Sequence, residues 1–138
     1  MNYPKIILKK GKEISLMRKY HWVFSGAIAQ MDSDLESGQL VAVYSSRNTF
    51  LGIGHFSHGS IMVRIISFEE EQIDLSFWKK RIQSAYELRK ALGLINNPET
   101  NVYRLIHGEG DLLPGLIVDF YNGTAVIQAH HVGMHAHI

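Results

Sequence analysis

The sequence predicts an α+β protein: a small mixed-β pseudobarrel, then one helix, then a partial antiparallel α+β unit. Three observations carry this. Short apolar runs recur at close spacing as far as residue 67, each bounded by turn residues, as in small barrels. Over residues 74–92 the apolar positions step by three or four instead, the mark of an amphipathic helix. Apolar runs at 102–106, 116–120 and 124–129 then follow. The last two flank Tyr121-Asn122-Gly123, and Asn-Gly is a strong hairpin signal.

Taken in order, residues 5–9 alternate weakly and read as a strand. Residues 13–20 read as a short helix with Ile14, Met17 and Tyr20 on one face. Trp22-Val23-Phe24 is wholly apolar and reads as buried, which assigns Trp22 to the core ahead of base stacking. Ser25-Gly26 marks a turn, and residues 32–38 form a polar loop. Strands follow at 40–44, 50–56 and 61–67. In the middle one, Gly52 and Gly54 leave one face bare, so another backbone can approach or the strand can coil sharply.

The acidic run Glu69-Glu70-Glu71 precedes the change of period and marks a boundary. The expected division is residues 1–70 and an incomplete second domain at 73–138. Asp74 or Ser76 can cap the helix, and Gly93 can stop it. Residues 132–138 show neither helix nor closing strand. One helix and about three strands leave a sheet face uncovered, so the chain reads as the front part of a longer protein. An uncovered face or edge also allows a dimer.

Composition excludes several chemistries. The 138 residues contain no cysteine, which removes disulfides, thiolate metal sites and a cysteine nucleophile. The first residues lack an unbroken apolar segment with a small-residue cleavage site, and no apolar run reaches the ~20 residues of a membrane span. A cytoplasmic protein is expected, with no membrane partner. Charge is uneven: residues 1–30 hold six lysines and arginines against Glu13 alone, whereas the remainder holds eight against twelve acids. A basic N-terminal segment points either to phosphate contacts or to a solvated helix face.

The segment from Val102 to Phe120 carries the densest polar loop, His107-Gly108-Glu109-Gly110-Asp111, ahead of Leu112-Leu113-Pro114-Gly115. Two glycines, two carboxylates and a histidine between strands exceed what a turn needs. Glu109 and Asp111 either shape a cleft or satisfy backbone donors of their own loop. A hydrolase built on His107 and Asp111 lacks a nucleophile, since Ser25, Ser57 and Ser60 have no elbow signature. Four histidines, His130, His131, His135 and His137, fall within eight residues, but zinc sites need three or four ligands on a rigid frame. No metal is expected. Arg64 alternates with apolar neighbours, placing it for either a phosphate or an acidic partner.

The runs GKEISLMRKYHWVFSGAI, FLGIGHFSHGSIMVRII, IDLSFWKKRIQSAYELRKALG and YRLIHGEGDLLPGLIVDFY together resemble one family. It is the S-adenosylmethionine-dependent RNA methyltransferases that make 5-methylcytosine in large-subunit ribosomal RNA. The resemblance covers nearly the whole chain, and the HGEGDLLPGL block is its most specific part. It implies an N-terminal PUA domain that binds RNA, a small α+β central domain, and a C-terminal Rossmann-like domain holding the cofactor and a catalytic cysteine. This sequence would hold the first and most of the second. The resemblance places RNA contacts at Lys9, Lys10, Lys12, Arg18, Lys19, Ser25 and Gly26, with ribosomal RNA and the C-terminal catalytic domain as partners. His107, Glu109, Asp111 and Pro114 would face the cleft towards that domain. The sequence departs from the family at three points. Leu112 replaces a small residue, Phe120 stands where arginine is common, and no proline precedes Trp22.

Methylation at cytosine C5 needs a thiolate nucleophile and a bound methyl donor. The donor needs a glycine-rich strand-to-helix turn, yet Gly108-Glu109-Gly110 lies between two predicted strands. The 138 residues alone are therefore expected to bind no cofactor and methylate nothing, S-adenosylmethionine belonging to the full-length protein. The alternative is a stand-alone PUA-like RNA-binding adaptor without enzymatic activity.

Overall fold

The computed structural model describes residues 3–135, which pack as two units. One comprises residues 3–71 together with 131–135, the other residues 72–130. The first is built on strands β1 (Lys5–Leu8), β2 (Trp22–Phe24), β3 (Ile28–Met31), β4 (Leu40–Tyr44), β5 (Phe50–Phe56) and β6 (Ile61–Ser67). They form one mixed sheet in the order β2-β6-β5-β4-β1-β3. β1 runs parallel to β4, and every other pairing is antiparallel.

The sheet curls into a half-barrel because its registers slip. Irregularities occur between Ile7 and Leu8, Val23 and Phe24, Val43 and Tyr44, and Ile53 and Gly54, and each adds bend and twist. The concave face buries Ile6, Leu8, Val23, Val41, Val43, Phe56, Val63 and Ile65. At Gly54 the neighbouring strand lies so close that a Cβ would fall 2.3 Å from the Arg64 carbonyl oxygen. The bare glycine face therefore serves backbone approach.

Between β1 and β2, helix α1 spans only Ile14–Met17, shorter than the stretch expected from periodicity. Lys19 takes a left-handed backbone, φ 66°, and ends it. The Lys19 amide donates to the Leu16 carbonyl and the Tyr20 amide to that of Ser15, the paired bonds of a Schellman cap. β3 was not anticipated: it is an edge strand, half-exposed and interrupted by Gln30, so its apolar signal is weak. Residues 132–138 were expected to lack helix. Instead Val132–His135 form one helical turn, α3, which lies against β5 and buries Met134. Gly133 is required there, since a Cβ would sit 2.3 Å from the ring carbon Cγ of His55. This segment belongs to the first unit rather than to the 73–138 grouping expected from sequence. His137 lies outside the described residues.

The second unit has helix α2 (Leu75–Ala91) and an antiparallel sheet of β7 (Val102–His107), β8 (Leu116–Tyr121) and β9 (Thr124–Ala129), in that order. Asp74 is the cap, accepting from the Phe77 amide at 3.0 Å. Gly93, at φ 77°, closes the helix. α2 packs on β7 and buries Phe77 and Ala85. No described helix is long and apolar enough to cross a membrane.

Candidate nucleic-acid interface

The turn after β1 holds Lys9, Lys10 and Lys12, all exposed. Arg18 and Lys19 follow α1 and are also exposed. The Lys19 ammonium lies 4.9 Å over the Phe68 ring, so part of its field is spent on a cation–π contact. Ser25 and Gly26 are exposed in the 3-10 turn after β2. The Ser25 amide donates to the Ser60 carbonyl at 2.8 Å, which fixes the turn to the start of β6. A Cβ on Gly26 would meet nothing within 4 Å, so this stretch of backbone is open.

Phe24 departs from expectation. Residues 22–24 were read as a buried run, but only Val23 points into the core. Trp22 is half-buried and Phe24 is 46% exposed. A three-residue apolar run gives no periodicity by which to tell its faces apart. With Tyr20 they border a groove of about 310 Å³, whose other walls include Lys12, Ser15 and Gly26. Arg64 is the cross-strand partner of Trp22 and so shares its face. It is half-buried and donates to the Ser57 hydroxyl at 3.2 Å.

In the second unit, Asp111 is held firmly. Its carboxylate accepts from the two terminal guanidinium nitrogens of Arg89, at 2.5 and 2.9 Å, and from the His107 amide at 2.6 Å. Glu109 is exposed, and Pro114 is buried beside the fully buried Leu113. Leu112 takes a left-handed backbone, φ 59°, which bulky residues enter at a cost, and this gives physical reason for a small residue there. Gly108–Asp111 form a 3-10 turn between antiparallel strands. The glycines open no α-helix, and Asp111 is committed to Arg89. These residues do not fit a nucleoside cofactor such as S-adenosylmethionine. Among the described residues no three potential ligands gather as a metal site.

A second ion pair joins Arg104 and Asp119 at 2.7 Å. Hydrogen bonding from Arg104 is the largest influence on the Asp119 carboxyl and holds it below its ordinary value; burial opposes this, while the charges of Arg104 and His107 assist. A carboxyl depressed in the folded state adds stability that is complete above its unfolded value, near ~4, and is lost as pH falls through the folded value. Unfolding of the second unit, followed in urea between about pH 5 and pH 2, should show this loss. Asp119→Asn should flatten that part of the profile; an unchanged profile would mean the pair is not formed in solution. Sequence reading missed Arg89, Arg104 and Asp119. The alternation of Arg104 and Asp119 with apolar neighbours was the one available signal.

Residues 6–68 match a family model described as a PUA-like domain. The first unit is thus similar to a PUA-like domain over nearly its whole length. Its groove, lined from Lys12 to Ala27, lies inside the matched residues. The likeness extends beyond that domain. The chain is 40% identical over 131 residues to the ribosomal RNA large subunit methyltransferase I of Vibrio cholerae, covering 94% of this chain and 32% of that protein. With the protein of the same name from Erwinia tasmaniensis it shares 37% over 131 residues, covering 94% and 33%. The resemblance read from the sequence, to methyltransferases of large-subunit ribosomal RNA, agrees with the names of these relatives. The chain spans about a third of the length of these curated relatives. In fold it is similar to a candidate SAM-dependent methyltransferase from Streptococcus mutans, with TM-score 0.81 and 22% identity over 96% of this chain and 34% of that one.

Proposed function

We propose that this chain is the N-terminal, RNA-binding portion of an S-adenosylmethionine-dependent methyltransferase that makes 5-methylcytosine in large-subunit ribosomal RNA. The PUA-like unit grips the RNA, and a C-terminal domain carries the cofactor and the methyl transfer. The observation that supports this most is the aromatic groove with Lys12 in its wall, on a PUA-like unit whose Lys9, Lys10 and Arg18 are also exposed. Its physical logic is electrostatic. Lys9, Lys10, Lys12 and Arg18 attract phosphates and release counterions, while Ser25 and Gly26 present small, open contacts to sugar. Arg64, already tied to Ser57, orients from the sheet beside Trp22. Exposed His107 and Glu109 belong to the face towards the catalytic domain, and the shielded Asp111 and Pro114 hold the shape of that loop.

The test is RNA affinity against salt. For a single-stranded ribosomal RNA segment, log affinity should fall with log salt by roughly 0.7 per phosphate contact. Lys9→Ala, Lys10→Ala and Lys12→Ala combined should reduce that slope by about 2. The same slope in the triple variant would remove these lysines from the interface. Methyl transfer should appear only when the longer polypeptide is assayed.

A further inference from the structure

The outer face of β2 carries a row of aromatic rings that core packing does not explain. Within β2, alternation sends Val23 inward and Trp22 and Phe24 outward, and Tyr20, two residues before Trp22, continues the row through its ring contact with Trp22. Tyr20 is 47% exposed and Phe24 46%. The rings meet edge to face, with centroids 6.1 Å apart for Tyr20 and Trp22 and 6.4 Å for Trp22 and Phe24. Such contacts occupy an edge or one face of a ring and leave the other face reachable. Exposing Tyr20 and Phe24 on either side of a half-buried Trp22 forfeits burial free energy, so a ligand that covers them is favoured.

The surroundings say what kind of ligand. The groove wall holds Lys12 and Ser15, and no acidic residue. Arg64 stands across from Trp22. Its volume lies at the low end of small-ligand sites, about 300–1,000 Å³. Lysines alone would serve for duplex RNA, which offers phosphates and sugar edges while its bases stay stacked on one another. A row of aromatics has nothing to cover on a duplex. An unpaired nucleotide offers a base face for the rings, a sugar for the serine and a phosphate for the cations.

We infer that the groove bounded by Tyr20, Trp22 and Phe24 takes an unpaired base, so that the RNA this unit selects is single-stranded or looped at the point of contact. The inference rests on the RNA-binding reading above and narrows it.

The experiment compares a fluorescent single-stranded oligoribonucleotide with a blunt duplex of equal length, at one salt concentration, on the 138-residue protein. The single strand should bind at least tenfold more tightly. Tyr20→Ala and Phe24→Ala should each weaken it about tenfold and leave duplex binding unchanged. In a Trp78→Phe background, Trp22 emission should be quenched by the single strand only. Circular dichroism of these surface variants should match the parent. Equal binding of both forms, or no effect of Phe24→Ala, overturns the inference while the RNA-binding reading stands. Failure to bind either form overturns that reading itself.

Discussion

Gly54→Ala is expected to destabilise the first unit by about 3 kcal/mol, at the upper end of overpacking costs. The added methyl carbon would lie 2.3 Å from the Arg64 carbonyl oxygen and 2.8 Å from its carbon. Both atoms are backbone in β6, so relief requires β5 and β6 to part, and their pairing sits at the centre of the sheet. Two other glycines set the scale. At Gly52 the added carbon would meet the Ile65 side chain and the Ser67 carbonyl oxygen at 3.0 Å, so Gly52→Ala should cost less. At Gly26 it would meet nothing, and Gly26→Ala should stay within about 0.5 kcal/mol of the parent. Urea unfolding read by Trp22 emission, with Trp78 replaced by phenylalanine, orders the three. If Gly54→Ala unfolds at the same urea concentration as Gly26→Ala, the close strand approach does not exist in solution.

That glycine pair shows how far a sequence can be read. Gly52 and Gly54 at period two announced a close approach, although only the structure supplies the neighbour, Arg64. Strands β4 to β6 were legible because each apolar run is bounded by turn residues. Helix α2 was legible because Asp74 and Gly93 mark its ends. Three features were not legible, for one shared reason: each depends on partners distant in the chain. β3 takes its strand conformation from β1, with which it pairs through Ile28 and Met31. α3 is fixed by His55, against which Gly133 packs. Asp111 finds Arg89, 22 positions away, and neither residue's local pattern names the other. At the candidate interface, charge counting located the lysines. The aromatic row escaped because alternation over three apolar residues is invisible until one face is known to be open.

Removing the Asp111 carboxylate should be the most damaging change in the second unit. Its side chain is 5% exposed and that of Arg89 11%, so the pair is shielded from water. Breaking a buried pair by deleting one partner strands the other charge, typically at a cost of about 3–5 kcal/mol. Asp111→Ala also orphans the His107 amide, which the carboxylate holds at 2.6 Å. The loop's hold on α2 should then loosen, because Arg89 ties the helix's last turn to it and Arg81, donating to the Leu112 carbonyl, is left to hold it. Combining Arg89→Met with Asp111→Asn separates charge from hydrogen bonding. Asparagine keeps an acceptor for His107, methionine fills the arginine's stem, and no charge stays buried, so the double variant should be more stable than Asp111→Ala. Unfolding read by Trp78 emission, with Trp22 replaced by phenylalanine, gives these differences. Exposed Glu109 is the contrast: Glu109→Ala should leave stability within about 0.5 kcal/mol. Any methyl-transfer defect it causes in the longer polypeptide would then arise from contacts made by the loop's outer face. An Asp111→Ala midpoint equal to the parent's would reduce the Arg89 pair to the near-zero value of surface ion pairs and leave the loop's shape to its glycines.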